Sequence, residues 1–516
     1  MPVLTEIETT HSPSEHDATR TQIRGSSLFL GGRFLSMGIN FSAQLLMIRY
    51  LATSEYGALA YALAVVTFFQ SFATLGLHEA VSRFVPIYQE KREFPKMLGT
   101  ILLSIGAVFL AGLLIIAVIW SRPAFLAHFM TREKLPLQLL SILIMVVPLD
   151  AADELFNSLF ASFAGTRAIF FRKYILGPSL KLGVVLLLIG LKSTVVFLAY
   201  GYLFASAAGI AIYAWMLLQL LQEQQLLQQL RSGPLKIPAR EILAFVLPGL
   251  SSSLVTVAIH SVNIFILGYL HPMTEVAYYR AVVPVAQLNG VVMASFTLLY
   301  MPAAARLLAK SDYHGINKLY WQTAAWMSVM SFPVFALTFS FARPLTEFLY
   351  GARYARSGPI LALLALGSYA NVALGFNLQT LKVLERLRYI ILVSLVAALA
   401  DVVLNLLLVP GHGALGAAIG TAATLIIYNI LMQVGLLPTS NFSAFDRRYL
   451  PVYLSVVLST GVMFFVQSFR SMSLYFAMPL VACMSFLVFS VSKKKLRIGE
   501  TFPELLKVPL IRLILA

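Results

Sequence analysis

Residues 389–437 read YIILVSLVAALADVVLNLLLVPGHGALGAAIGTAATLIIYNILMQVGLL, and this stretch decides the class of fold. It consists of two apolar runs, 389–409 and 414–437, separated only by the sequence PGHG. A helix of about 20 apolar residues crosses the roughly 30 Å hydrocarbon core of a bilayer. The stretch therefore predicts two membrane-spanning helices joined by a tight turn.

The composition of the whole chain agrees with a membrane protein. Of its 516 residues, 59% are hydrophobic and 12% are charged, whereas soluble domains carry about 25% charged residues. This excludes an ordinary soluble enzyme, and the high hydrophobicity excludes a disordered chain. The one cysteine, Cys483, excludes a disulfide framework and a cysteine-based metal site.

Apolar runs of this length recur along the chain, so we predict an all-α integral membrane protein with about fourteen transmembrane helices. The predicted spans lie near 27–50, 58–82, 99–120, 137–164, 174–191, 195–221, 242–270, 281–305, 319–341, 358–381, 389–409, 414–437, 451–469 and 472–492.

The basic residues predict the orientation of these spans, because Lys and Arg accumulate in cytoplasmic loops. With the N-terminus in the cytoplasm, 26 of the 38 Lys and Arg residues fall in cytoplasmic segments and 10 at the opposite ends. We therefore expect a multi-pass protein of the cytoplasmic membrane with both termini in the cytoplasm. The C-terminal SKKKLR sequence is expected to bind anionic lipid headgroups.

A weak internal repeat divides the spans into two sets of six. YLATSEYGALAYA at 50–62 resembles YLHPMTEVAYYRA at 269–281. Six helices per copy give both copies the same orientation, related by an axis along the membrane normal. The predicted segments are a disordered cytoplasmic tail (1–24), a first lobe with spans 1–6 (25–221), a cytoplasmic linker (222–241), a second lobe with spans 7–12 (242–437), two further spans (450–492) and a basic cytoplasmic or interfacial tail (493–516).

Polar side chains recur at helical spacing inside several spans, and such residues usually face a bundle interior or a water-filled cavity. The candidate substrate-binding residues are Arg33, Asn40 and Gln44 in span 1, Gln70, Thr74 and His78 in span 2, Lys181 in span 5, and Ser252, Thr256 and Asn263 in span 7. The candidate ion-coupling residues are Asp401 in span 11, His260 in span 7, and the acidic turn of span 4 with Asp150, Asp153 and Glu154.

Each candidate also has a structural explanation. Hydroxyl and amide groups commonly form hydrogen bonds between transmembrane helices. Arg33 lies only one or two turns into its span, so its side chain can extend to the interface. The acidic turn can pair with nearby Lys or Arg side chains, and His260 can be a neutral hydrogen-bonding residue.

Several function classes are excluded by missing motifs. The sequence contains no GxxxxGK[ST] loop, no HExxH motif and no carboxylate pair at glycosidase spacing. ATP-driven transport and catalysis by this chain are therefore not expected, and neither a cofactor nor a metal is predicted. The net charge of +16 is explained by cytoplasmic loops and anionic lipids without a nucleic acid.

Four motifs give the chain a family resemblance. They are the segment from Met47 to Gly57 followed by LGLHEAVSRFVP, the LPGLSS start of span 7, ARPLTEFLYGARY, and ADVVLNLLLVPGHGALGAAIGTAATL at 400–425. The last stretch matches an "NLxLIPxxGxxGAAxAT" pattern. In these motifs and their order, the chain resembles the polysaccharide-transporter (O-antigen-type flippase) branch of the multidrug/oligosaccharidyl-lipid/polysaccharide exporter superfamily.

The resemblance implies a flippase that moves a polyprenyl-pyrophosphate-linked oligosaccharide between leaflets by alternating access. It also implies glycan polymerase or glycosyltransferases as possible partners. Cations in the cavity suit phosphate, and amides and hydroxyls suit sugar hydroxyls. Two positions depart from the pattern: Asn263 stands where relatives often carry an acid, and the VAYY turn before span 8 lacks the usual glycine.

Three other functions remain open at this point. A cation-coupled multidrug exporter of the same superfamily needs acids in its cavity; Asp401 favours it and Arg33 opposes it. A peptidoglycan-precursor flippase is physically almost the same machine. A non-transporting membrane scaffold of a glycan-assembly complex has no need of polar faces on several helices.

Overall fold

The computed structural model describes residues 15–121, 131, 133–163, 166–223, 236–439, 442–469 and 472–496, without the side chains of 15–30, 166, 247–260, 298 and 494. These residues form helices and no strand. The helices of the first half are α1 (Glu15–Tyr50), α2 (Thr53–Ala73), α3 (Leu77–Glu90), α4 (Phe94–Ser121), α5 (Lys134–Leu143), α6 (Val146–Ser162), α7 (Gly177–Gly190) and α8 (Val195–Glu223).

The second half contains ten further helices. They are α9 (Ala239–Leu270), α10 (Met273–Gln287), α11 (Val291–Ala309), α12 (Tyr313–Ser340), α13 (Ala342–Tyr350), α14 (Ser357–Ala373), α15 (Asn377–Val383), α16 (Leu387–Val434), α17 (Leu450–Phe469) and α18 (Leu474–Leu496). A π-helix, Phe170–Leu176, precedes α7, and short 3₁₀ turns occupy Leu288–Gly290, Ala352–Tyr354 and Arg447–Tyr449.

The all-α membrane fold is confirmed. Nine helices in the described ranges are long and apolar enough to cross a bilayer, or up to eleven if each of two pairs bent by 46° forms one span. The exact count of fourteen stays a prediction. The tail predicted as disordered over 1–24 is helical from Glu15 onward, because neither Gly nor Pro interrupts residues 15–24.

The stretch that decides the fold forms a helical hairpin. Backbone geometry inside α16 breaks at Gly413, with φ 55° and ψ −132°, a conformation that glycine adopts at little steric cost. The two arms then run side by side. Their backbones lie so close that a Cβ on Gly416 would lie 2.3 Å from the Leu408 carbonyl oxygen. Gly416 and Gly420 form a GxxxG pair, which allows transmembrane helices to approach closely.

The two copies of the sequence repeat have the same local structure. α1 ends at Tyr50 and α2 begins at Thr53, while α9 ends at Leu270 and α10 begins at Met273. The repeated glutamate is the third residue of the second helix in each copy. Glu55 accepts the Ala52 backbone N–H at 3.0 Å, and Glu275 accepts the Ala414 N–H of the hairpin turn at 2.9 Å. Both carboxylates thus bind backbone donors.

Contacts divide the described residues into two compact units. The first unit takes its residues from 1–46, 69–117 and 142–250, and the second from 47–68, 118–141 and 251–516. The predicted lobes differ from these units in the segments 47–68, 118–141 and 242–250, and the lobe boundaries stay a prediction. The core of the second unit is rich in aromatic residues, with the Phe335 and Tyr369 rings stacked at 4.0 Å.

Candidate functional site

The first unit contains a polar cavity of about 370 Å³, called here the unit-1 cavity. It is lined by side chains of α1, α2, α6, α7, α8 and the π-helix. Six predicted residues line it together: Asn40, Gln70, Asp150, Asp153, Glu154 and Lys181. Residues separated by up to 141 positions therefore meet in one cavity, as expected if polar faces of several helices turn inward.

A buried ion pair lies in the wall of the unit-1 cavity. Arg172 Nη2 lies 2.7 Å from Asp153 Oδ1, and the arginine is only 7% exposed. The Asp153 carboxylate also accepts a hydrogen bond from the Asn157 amide at 3.3 Å. Sequence reasoning placed Arg172 in a cytoplasmic loop and missed this role. The pairing neutralises one of the three acids of the predicted acidic turn, as expected because a buried charge is costly unless it is paired.

Local backbone features make room for the Arg172 guanidinium. Arg172 belongs to the π-helix Phe170–Leu176, and π-helical turns often occur at functional sites. A Cβ on Gly177 would lie 2.6 Å from its Nη1, and a Cβ on Gly209 would lie 2.7 Å from its Nη2. The Tyr213 ring lies 5.9 Å from the guanidinium carbon. Gly177 and Gly209 therefore leave the space that the guanidinium occupies. These two glycines are the feature of the sequence that accompanies the buried arginine.

The other charged groups of the unit-1 cavity have weaker partners. Asp150 accepts a hydrogen bond from the Ser206 hydroxyl at 3.1 Å. Glu154 Oε1 lies 3.9 Å from His78 Nε2, at the outer limit of an ion pair. The ammonium of Lys181 lies 6.0 Å from the Tyr202 ring centre, within cation–π range. With Lys173 and Arg172, the cavity wall holds three cations and three carboxylates.

The remaining candidates of the first unit lie elsewhere. Arg33 is exposed on α1 and does not line the unit-1 cavity. Gln44 is half-buried on the same helix. Thr74 is buried beyond the end of α2, where its hydroxyl donates to the Ser71 carbonyl at 3.0 Å. The side chains of Ser252, Thr256 and His260 in α9 lie outside the described residues.

The second unit contains a larger cavity of about 550 Å³, called here the unit-2 cavity. Two predicted residues, Asn263 and Asp401, line it together. The other polar lining residues are Tyr279, Arg280, Gln287, Ser368, Asn371, Thr421 and Thr424. Its wall therefore contains one cation, one carboxylate and a majority of uncharged hydrogen-bonding groups.

Asn263 joins three helices at this cavity. Its amide donates to the Tyr279 hydroxyl at 2.6 Å and to the Thr421 hydroxyl at 3.3 Å, and its carbonyl oxygen accepts the Ile264 N–H at 2.8 Å. Tyr279 and Thr421 are themselves 3.0 Å apart. The Asn263 side chain thus donates through its nitrogen and accepts through its oxygen, a combination that an ionised carboxylate, which has no donor, cannot provide.

Asp401 and Arg280 are the charged residues of the unit-2 cavity. Asp401 is 3% exposed, and its Oδ2 has no hydrogen-bond partner among the described residues. Arg280 is half-buried on α10. Sequence analysis counted Arg280 among the basic residues at the helix ends away from the cytoplasm, because it directly precedes the predicted span 281–305, and did not name it as a cavity residue. In the structure it lies in the middle of α10, seven residues after the helix begins at Met273.

A sequence profile of the family described as "Polysaccharide biosynthesis protein" matches residues 23–308, more than half of the chain. The chain belongs to this polysaccharide biosynthesis family. None of the curated protein sequences matches it.

Solved structures resemble this family member in fold. The chain is similar to "Lipid II flippase MurJ, inward closed conformation", with a TM-score of 0.68 and 14% identity over 91% of this chain and 99% of that chain. It is also similar to an inward-facing multidrug resistance MATE transporter of the MOP superfamily, with a TM-score of 0.64 and 13% identity over 78% and 96% of the two chains. At these identities the likeness shows the fold alone. The chain thus belongs to a polysaccharide biosynthesis family and has a fold that it shares with a lipid II flippase and a multidrug transporter.

The two cavities of this polysaccharide biosynthesis family member offer different chemistry. The described residues contain no group of three or more His, Cys, Asp or Glu side chains that could hold a metal ion. The unit-1 cavity has opposite charges in equal number. The unit-2 cavity combines one guanidinium and one carboxylate with amides and hydroxyls; the guanidinium can bind a phosphate, and the other groups can bind sugar hydroxyls.

Proposed function

We propose that this protein is a flippase for a polyprenyl-(pyro)phosphate-linked oligosaccharide. It moves this substrate across the cytoplasmic membrane by alternating access, and the product serves the synthesis of surface or exported polysaccharide. The membership in a polysaccharide biosynthesis family and the fold shared with a lipid II flippase support this proposal.

The observation that carries the proposal is the donor set of the unit-2 cavity. Arg280 supplies the cation for a phosphate oxygen pair, since a guanidinium presents two parallel donors. Asn371, Gln287 and Ser368 supply uncharged groups that line the same space. An anionic headgroup that carries sugars needs both kinds of group at once.

Lys181 is the corresponding cation of the unit-1 cavity in this proposal. Its exposed side chain lines that cavity, its ammonium lies 6.0 Å from the Tyr202 ring centre, and it forms no ion pair with another described residue. Arg172 cannot serve equally well, because Asp153 already neutralises it at 2.7 Å. Asn40 and Gln70 then contact the sugar hydroxyls. Arg33, which is exposed on the same face of α1 as Asn40 and Gln44, contacts substrate before it enters the cavity.

A stability assay tests the binding step. Ligands that bind only the folded state raise its stability by an amount that grows with the ratio of ligand concentration to Kd. We expect polyprenyl pyrophosphate to raise the melting temperature of the purified protein in nanodiscs. Arg280→Gln should lose most of this increase and Lys181→Gln part of it. Arg343→Gln is the matched control, because its exposed guanidinium pairs with Glu347 of the same helix at 2.9 Å.

An export assay tests transport itself. In cells that lack the gene, Arg280→Gln should restore far less surface glycan than the parent at equal protein level, and Lys181→Glu should restore none. Arg33→Lys should retain part of the output and Arg33→Ala should lose most of it. If Arg33→Ala and Lys181→Glu together gave parental output, these cations would have no part in handling the substrate.

The multidrug-exporter alternative is favoured by the three carboxylates of the unit-1 cavity. Organic cations bind such groups, and stabilisation by an organic cation but not by polyprenyl pyrophosphate would decide for it. A peptidoglycan-precursor flippase would be stabilised by the same pyrophosphate, so the surface-glycan assay separates it. A non-transporting scaffold would show no stabilisation by either ligand.

A further inference from the structure

Two arginines far apart in sequence bind each other's helix ends in the second unit. Arg49, in the last turn of α1, donates from Nε to the Leu349 carbonyl and from Nη2 to the Phe348 carbonyl, both at 2.7 Å. Arg353, just beyond α13, donates from Nη2 to the Arg49 carbonyl at 2.9 Å and also to the Ile48 carbonyl. The arrangement is reciprocal.

The acceptors are the carbonyl groups that a helix leaves unpaired at its C-terminus. α1 ends at Tyr50 and α13 ends at Tyr350, so each arginine binds the last turn of the opposite helix. The final carbonyls of a helix lack intrahelical partners and carry partial negative charge. Cationic side chains therefore bind them well.

Segment 47–68, which contains Ile48 and Arg49, also packs closely against α10. A Cβ on Gly57 of α2 would lie 1.8 Å from the Met273 carbonyl oxygen and 3.2 Å from the Ala277 nitrogen. Glu133 accepts the Met273 backbone N–H at 3.0 Å. Segments 47–68 and 118–141 thus pack on residues of 251–516, although both segments belong to the first half of the sequence.

We propose that Arg49 and Arg353 form a reciprocal arginine latch that holds segment 47–68 against α10 and α13 at one end of the transport path. The latch consists of these two guanidiniums and the carbonyls of residues 48, 49, 348 and 349. This inference rests on the proposed function, because alternating access requires segment 47–68 to separate from α10 when this end opens. The basic-residue asymmetry predicts that this end faces away from the cytoplasm.

The latch differs from an ordinary surface ion pair in two ways. Its acceptors are backbone groups, so no carboxylate has to be desolvated or deprotonated. Its four hydrogen bonds join residues about 300 positions apart, whereas nearby Arg343 binds Glu347 within its own helix. Loss of the latch should therefore change the opening equilibrium, and loss of the Arg343 pair should not.

Thiol labelling tests the latch. The parent is the full chain with Cys483→Ser in nanodiscs, and Ala277→Cys places a reporter thiol at a fully buried position against Gly57. We expect Arg49→Gln or Arg353→Gln to raise the labelling rate of this thiol roughly tenfold, as expected for loss of hydrogen bonds to a charged group. The double variant should label faster still. Arg49→Lys, which keeps the charge but loses the two-donor geometry, should give an intermediate rate.

Two controls separate opening from general loosening. Arg343→Gln should leave the labelling rate unchanged. A second reporter, Ala325→Cys, lies fully buried in the core of the same unit, and its labelling should not respond to the latch variants. An unchanged rate in the Arg49→Gln, Arg353→Gln double variant would overturn the proposal. So would an equal increase at the Ala325 reporter or with Arg343→Gln.

The thiol-labelling result and a transport assay test the latch and the proposed function separately. If latch variants label faster but the parent moves no lipid-linked oligosaccharide in vesicles, the latch stands and the proposed function fails. If the parent transports and the latch variants label like the parent, only the latch fails.

Discussion

The buried pair of Arg172 and Asp153 shows how one residue can set the chemistry of a cavity. Because Asp153 neutralises this guanidinium, Lys181 and Lys173 remain as the other cations of the unit-1 cavity. The pair also links α6 to the π-helix before α7. A group that is paired in this way contributes to the shape of the site and contacts substrate less directly.

A thermodynamic cycle at this pair tests its structural role. Asp153→Asn leaves a buried guanidinium without its counter-charge, so we expect a loss of about 3 kcal/mol of stability. Arg172→Met retains the apolar stem and removes the charge. The double variant Asp153→Asn, Arg172→Met should therefore melt no lower than Asp153→Asn alone. Purely additive losses in the cycle would contradict a coupled pair.

Asp401 is the other residue whose environment predicts a role in the transport cycle. It is a buried carboxyl in the unit-2 cavity, with Oδ2 lacking a partner among the described residues. We expect Asp401→Asn to lower the transport rate while the protein level in the membrane stays normal. Glu347→Gln is the matched control, because Glu347 lies in an exposed pair. Normal transport by Asp401→Asn at every pH tested would exclude a coupling role for this carboxyl.

At the scale of elements, the α16 hairpin depends on its turn. Gly413 has a positive φ, and a Cβ there would lie 2.8 Å from Glu275 Oε2. Glu275 in turn accepts the Ala414 N–H, so the turn is held by the start of α10. The two arms then contact each other through glycines, and Asn405 packs against Gly420 on the facing arm.

Gly413→Ala should therefore destabilise the protein by roughly 1–3 kcal/mol, the usual cost of forcing a side chain into such a backbone conformation. Gly411→Ala is a close control, because no atom lies within 4 Å of its Cβ position and its φ is not positive. Melting can be followed by the fluorescence of Trp321 and Trp326, which are buried in the same unit. Equal melting temperatures for the two variants would contradict the strain argument.

Sequence patterns predicted the elements better than their ends. Apolar runs and the PGHG sequence predicted the hairpin, since helix length and glycine conformational freedom act locally. The sequence analysis began the first helix at residue 27, where the apolar run begins. The helix starts at Glu15, and its polar first turns do not show in a search for apolar runs.

At the scale of the whole molecule, the candidate site was only partly predictable. Asn40, Gln70, the acidic turn and Lys181, which sequence analysis selected as polar residues inside predicted spans, line one cavity, because such residues usually face a bundle interior or a cavity. Sequence analysis did not reveal Arg172 or Arg280. Both lie just outside the predicted spans and were therefore counted as charges of the loops. Pairing such as Asp153 with Arg172, or Arg49 with Leu349, depends on tertiary contacts that no local pattern encodes.

The last prediction concerns the orientation of the whole chain. An even number of spans places both termini on one side, and 26 of the 38 Lys and Arg residues lie on the side of the N-terminus in this topology. Basic loops remain in the cytoplasm because their translocation is disfavoured. After Ala516, a fused reporter that works only in the cytoplasm should therefore be active, and one that works only in the periplasm should be inactive. At 470–471 the two reporters should give the opposite result. The insertion serves as the internal control, because it lies between the last two predicted spans. A C-terminal reporter that is active only outside the cytoplasm would require an odd number of spans. Thiol labelling from each side of the membrane would then have to show on which side the Arg49–Arg353 latch lies.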